Sequence, residues 1–218
     1  NPAGGHGLEL ALNIGGRRVS LLPEPGCGGG ILWELSEDAA SVGFDTDDFS
    51  SKCTAASASG FSGEIRLVRL EARRDFEGEL ELSFAPVLAD GGDWESHPAF
   101  WRLGMEARVY KGCLLIRRLR RGSAPEVWLC LACGCAAEFS ADARGGLGWL
   151  SYPLVRAKIP VSLKPGERLG VRFALCLGQT AEEAYTGAQR LTALGPADYG
   201  SMPSACAGAR SSHWIFTP

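Results

Sequence analysis

The sequence is poor in histidine and methionine, with three and two among 218 residues, and it has no block of charge of one sign. It also has no apolar run near the ~18–20 residues that a membrane-spanning helix needs, so no membrane span is expected. The charge absence argues against a nucleic-acid partner. Lys and Arg number 22 against 25 Asp and Glu, a net charge of −3, and counterion displacement from a duplex requires a basic footprint. The densest basic cluster, Arg117, Arg118, Arg120 and Arg121, is read as a solvated strand edge carrying arginines. The shortage of histidine weighs against a Ser/His/Asp triad. His6 and His213 lie near the ends, His97 precedes a proline, and there is no Gly-x-Ser-x-Gly elbow. Paired carboxylates of the glycoside-cleaving kind stay open, with no pair singled out. The opening Asn1-Pro-Ala-Gly-Gly-His6 lacks a basic segment followed by an apolar one, so no secretion signal is visible and a cytoplasmic location is expected. A start at Asn1 rather than Met points to missing upstream sequence.

Glycine and proline are abundant, 29 and 12 residues, or about a fifth of the chain against about 12% in average proteins. With 45% hydrophobic residues this indicates a folded chain rich in turns, either one large domain or two small ones. Eight cysteines stand at 27, 53, 113, 130, 133, 135, 176 and 206. Cys130, Cys133 and Cys135 invite a zinc reading. A strand over Val127–Ala137 would place Cys133 and Cys135 on the face of Leu129 and Leu131 with Cys130 opposite, and no second Cys or His pair follows at ligand spacing. Buried free thiols in a reducing compartment, with no metal and no cofactor, are expected.

The periodicity is that of strands. Leu8–Leu12 and Arg17–Leu22 flank Asn13-Ile-Gly-Gly16, a hairpin signal. Glu64–Arg73 changes parity midway, which predicts a bulge. Asp75–Gly78 reads as a turn into Glu79–Phe84. Arg102–Tyr110 and Cys113–Arg120 meet at Lys111-Gly112, and Lys158–Leu163 and Glu167–Leu177 meet at Lys164-Pro-Gly166. Thr180 with Glu183 forms a capping box for a helix over Ala181–Leu194, ended by Gly195-Pro196, and a helical turn is expected near Ser36. The fold class expected is all-β, an antiparallel β-sandwich of about twelve or more strands with one C-terminal helix.

Other motifs fall short of their templates. Gly26-Cys-Gly-Gly-Gly30 follows prolines and lacks the Lys-Ser/Thr of a P-loop, so it reads as a turn. Asp45-Thr-Asp-Asp48 has Ser50 and Ala56 where a calcium loop needs glycine and a carboxylate. The densest unusual segment runs from Asp90 to Arg102 and contains Trp94, Glu95, His97 and Trp101. Indole rings stack on the apolar face of sugars while polar groups take the hydroxyls, so these four are candidates for carbohydrate or domain contact. The competing reading is a plug in which Trp94, Phe100 and Trp101 close one end of the sandwich. Trp149 and Tyr152 raise the same choice.

At this segment the chain resembles glycoside hydrolase family 94, formerly glycosyltransferase family 36. Phe84-Ala-Pro-Val-Leu-Ala-Asp90, His97-Pro-Ala-Phe100 and Leu103-Gly-Met-Glu-Ala-Arg108 carry the resemblance. Gly112–Arg118, Val161–Glu167 and Ala181–Ala184 extend it, over roughly residues 64–194. The sequence departs from the family where Gly104 and Met105 replace Phe-Val and where the stretch from Phe139 to Leu154 is shortened. The family includes cellobiose and chitobiose phosphorylases and the phosphorylase-like part of cyclic β-1,2-glucan synthases.

The resemblance implies a β-supersandwich similar to galactose mutarotase over residues 1–195, with 196–218 a linker or tail toward an (α/α)6 catalytic barrel. Acid catalyst and phosphate site belong to that barrel, so no catalytic residue is carried over here. The expected role is a non-catalytic domain that packs on the barrel and shapes its sugar site. The partners implied are a β-glucan-type oligosaccharide, the helical catalytic domain of the same parent chain and a second copy in a homodimer. An independent carbohydrate-binding or adaptor module is the alternative. A mutarotase-like epimerase is a third reading, and it would need histidine and carboxylates in one cleft.

Overall fold

The structure is a computed structural model and describes residues 8–22, 32–35, 39–57, 60–86, 105–118, 126–145 and 151–194. Among these residues the chain forms the expected antiparallel sandwich. Its smaller sheet contains β1 (Glu9–Ile14), β2 (Arg17–Ser20), β7 (Phe76–Phe84), β11 (Glu138–Gly145) and β12 (Ser151–Leu163), in the order β11-β12-β7-β1-β2. The larger sheet contains β3 (Leu32–Leu35), β4 (Ala39–Asp45), β5 (Phe49–Ser57), β6 (Gly63–Ala72), β8 (Met105–Tyr110), β9 (Cys113–Arg118), β10 (Val127–Cys133) and β13 (Arg168–Gly178). Their order is β3-β4-β5-β6-β13-β10-β9-β8. One helix, α1 (Ala181–Ala193), follows β13.

Two apolar layers hold these elements. Leu80, Leu82, Val155 and Ile159 of the smaller sheet meet Val68, Leu70, Leu131, Val171 and Phe173 of the larger in the main core. On the other face of the larger sheet, Ile65, Leu115, Cys130, Ala174 and Cys176 pack against Ala184, Ala188 and Leu191 of α1. Strands covered on both faces explain why β6 changes parity without a bulge. Its pairing with β5 runs without a break from Phe49↔Ala72 to Ser57↔Glu64, and with β13 from Arg168↔Glu71 to Cys176↔Gly63. Ile65 turns to the helix, whereas Val68, Leu70 and Ala72 turn to the main core.

Local chemistry sets the turns. Gly15 and Gly16 both have positive φ, 53° and 79°, as do Lys111 and Gly112 at 47° and 72°, which suits two-residue hairpins of right-handed twist. Thr180 accepts from the Glu183 N–H at 3.2 Å, and Glu183 accepts from the Thr180 N–H at 3.3 Å, so the capping box forms. Several boundaries differ from expectation. Gly78 lies inside β7, not in a turn, and its lack of a side chain allows the close approach of β1. The helical turn expected near Ser36 begins outside the described residues, and from Ala39 the chain is strand. Arg117 and Arg118 sit on β9, flanked on both sides by β8 and β10, so they are not on a sheet edge.

The two ends of the sandwich are unequal. Short links 73–75, 134–137 and 164–167 pass between the sheets at one end, where the hairpin turns 15–16, 46–48 and 111–112 also lie. At the opposite end lie the strand ends joined by 58–62, 85–104, 119–126 and 146–150.

Candidate functional site

Trp94, Glu95, His97 and Trp101 belong to the connection from β7 to β8 and lie outside the described residues, as does Trp149 between β11 and β12. Both connections start and finish at the same end of the sandwich, since Phe84 pairs with Val155 and Gly145 with Ser151. Tyr152 is the second residue of β12 and pairs with Arg144. The topology therefore brings the anchor points of these two Trp-bearing segments together, although they lie about fifty residues apart in sequence.

On the outer face of the larger sheet, near that end, Glu126 organises a rim cluster. Trp128 Nε1 donates to Glu126 Oε1 at 2.8 Å, and Arg117 Nη2 donates to Glu126 Oε2 at 2.7 Å. The Arg117 hydrogen bond, ahead of that from Trp128, holds the Glu126 carboxyl below its ordinary value. From this cluster a strip of cations and rings runs along β8 to the 111–112 turn at the opposite end. Arg117 and Arg108 lie 5.4 and 5.8 Å from the Trp128 ring, and Arg108 and Lys111 lie 5.8 and 4.9 Å from Tyr110. Tyr110 also meets Tyr185 of α1 edge-on at 5.7 Å. These contacts link β8, β9 and β10 to the helix. Sequence reading missed the strip because its members come from four elements.

A group whose folded-state value is depressed stabilises above its unfolded value and loses that contribution as pH falls through the folded one. Glu126→Gln is thus expected to remove part of the acid-side slope of stability while changing neutral-pH stability little, because the pair is solvent-accessible. Thermal melts of both proteins from neutral to strongly acidic pH give the comparison. An unchanged acid limb in the variant would refute the assignment.

The smaller sheet carries a second charged network on its outer face. Glu81, only 7% exposed, accepts from Arg18 at 3.1 Å and lies within 4.0 Å of Arg156 and 3.9 Å of Lys158. Arg156 also pairs with Asp142, and Lys158 with Glu79 at 2.8 Å. With cations on three sides, Glu81 ties β1–β2 to β7 and β12.

Six described cysteines are free thiols, of which Cys53, Cys113, Cys130 and Cys176 are buried. Burial pushes the Cys53 thiol up to about 12. The zinc arrangement fails on geometry, since Cys130 faces α1 while Cys133 packs on the main core. The expectation of buried thiols does not hold for Cys135, which is exposed. β10 stops at Cys133, and a bend at Gly134 and Cys135 replaces the predicted continuation to Ala137. No group of three potential metal ligands occurs among the described residues.

No protein-family model matches the sequence, and no curated protein matches it. Solved structures do. A chain from the human microbiome assigned as a kojibiose phosphorylase aligns with a TM-score of 0.55 at 9% identity, over 87% of this chain and 26% of its own. A polysaccharide lyase aligns at 0.49 and 13% identity, over 85% of this chain and 28% of its own. A chain from Escherichia coli K12 assigned as an aldose 1-epimerase aligns at 0.45 and 10% identity, over 76% of this chain and 79% of its own. The first of these establishes a shared fold, and this chain spans about a quarter of that protein's length.

Proposed function

We propose that the chain is a non-catalytic, carbohydrate-associated β-sandwich domain of a glycoside phosphorylase or glycosyltransferase of the family 94 type. It packs on a helical catalytic domain of the same parent chain and helps shape the sugar site there. Residues 196–218 lead toward that domain. The observation that carries this reading is the likeness in fold to a quarter of a chain assigned as a kojibiose phosphorylase. The His97-Pro-Ala-Phe100 run and the shared end of the two Trp-bearing connections add support.

In this reading Trp94 and Trp101 stack on a β-glucan-type oligosaccharide, and Glu95 and His97 take its hydroxyls. Calorimetric titration with cello- and β-1,2-gluco-oligosaccharides tests the assignment. Trp94→Ala and His97→Ala are each expected to weaken binding about tenfold, equivalent to ~1.4 kcal/mol. Affinity equal to that of the unmodified protein in both variants would reject the site.

A further inference from the structure

We propose that Cys133 and Cys135 form a reversible dithiol–disulfide site, oxidised by low-molecular-weight disulfides that reach the exposed bend at the end of β10. The two Sγ atoms lie 3.5 Å apart. In a continuing strand, alternate side chains would stand parallel and farther apart, and the bend at Gly134 brings them together. Gly134 is fixed from the neighbouring strand, since its N–H donates to the Arg172 carbonyl at 2.8 Å. A Cβ on residue 134 would lie 3.3 Å from the Arg172 Cβ, so glycine permits this close apposition to β13. The approach of the sulfurs is thus built into the backbone, and closure to a ~2.05 Å S–S bond needs only a small side-chain movement.

Access separates this pair from the other described thiols. Cys130 and Cys176 face each other across β10 and β13 but are sealed beneath Ala184 and Ala188 of α1. Cys53 lies in the main core. Cys135 alone among the described thiols is exposed, and Cys133 beside it is half-buried. Exposure makes Cys135 the first to react, while burial pushes the Cys133 thiol up to about 12.

The reaction balances with a disulfide such as oxidised glutathione. The Cys135 thiolate attacks one sulfur, the glutathione S–S bond breaks, and one glutathione leaves as thiolate and takes up a proton. Cys133 then gives its proton to solvent, and its sulfur attacks Cys135 Sγ and expels the second glutathione. Two protein thiols lose two electrons and two protons, and the oxidant becomes two thiols.

The folded protein is incubated with excess oxidised glutathione, quenched with acid and mapped by peptide mass spectrometry. The peptide holding residues 133–135 is expected to lose two hydrogens, and a dithiol reductant restores them. Cys133→Ser is expected to stop with one glutathionyl group on Cys135. In Cys135→Ser the same peptide reacts at least tenfold more slowly. A wild-type peptide that keeps both thiols under these conditions overturns the proposal, as does a Cys135→Ser protein modified there at the wild-type rate.

Discussion

Phe173→Ala is expected to lower stability by about 3–5 kcal/mol, the range for truncating a fully buried aromatic ring. Phe173 is 0% exposed and sits on β13 between Cys133 of β10 and Arg66 of β6. Its ring reaches into the main core between the sheets. Strands on both sides fix the backbone at this point, so the cavity left by the ring closes only in part, and the cost combines lost apolar transfer with lost packing. Urea denaturation reads the change as a shift of midpoint. Val109→Ala serves as the contrast, because Val109 is 56% exposed on the outermost strand β8, and a surface change of this kind falls within about 0.5 kcal/mol. A Phe173→Ala loss no larger than that of Val109→Ala would contradict the layer assignment.

The second large effect concerns a glycine. Gly78→Ala is expected to destabilise by about 1–3 kcal/mol or more, as an overpacked site does. A Cβ at residue 78 would lie 2.3 Å from the Asn13 carbonyl oxygen and 3.2 Å from its carbon. Both are backbone atoms of β1, which is held on its other side by β2. Relief would require β1 to move away from β7, with loss of the ladder that joins them. By contrast, a Cβ at residue 170 in β13 would meet nothing within 4 Å. Gly170→Ala is therefore expected to be neutral or to stabilise by about 0.4–1 kcal/mol, through lower entropy of the unfolded chain. Two glycine-to-alanine changes in strands thus carry opposite signs, and parallel thermal melts of the pair decide the matter. Equal effects would mean that strand propensity, and not close approach, governs Gly78.

Much of the architecture was legible in local pattern, but not evenly. β13 reads clearly because Val171, Phe173 and Leu175 alternate with smaller residues. β4 and β5 escaped because their alternation is carried largely by small and polar side chains. In β5 the positions turned inward beside Phe49 include Ser51 and Cys53. Such residues have little strand signal by themselves and are buried only because neighbouring strands supply the cover. Trp94, Glu95, His97 and Trp101 stand out by their chemistry, and the fold adds the shared end of their connection and that of Trp149.

By itself the sequence determined the hairpin turns, through Gly15, Gly16 and Gly112, and the helix start, through Thr180 and Glu183. These depend on interactions within a few residues, so a short window contains all their physics. Only the tertiary structure decided that β6 is buried on both faces, that Gly78 is a point of close approach and that a bend at Gly134 brings the Cys133 and Cys135 sulfurs together. Those outcomes depend on which strands become neighbours across tens of residues. A period-two pattern states that a strand has two faces, but burial by distant partners decides what each face meets.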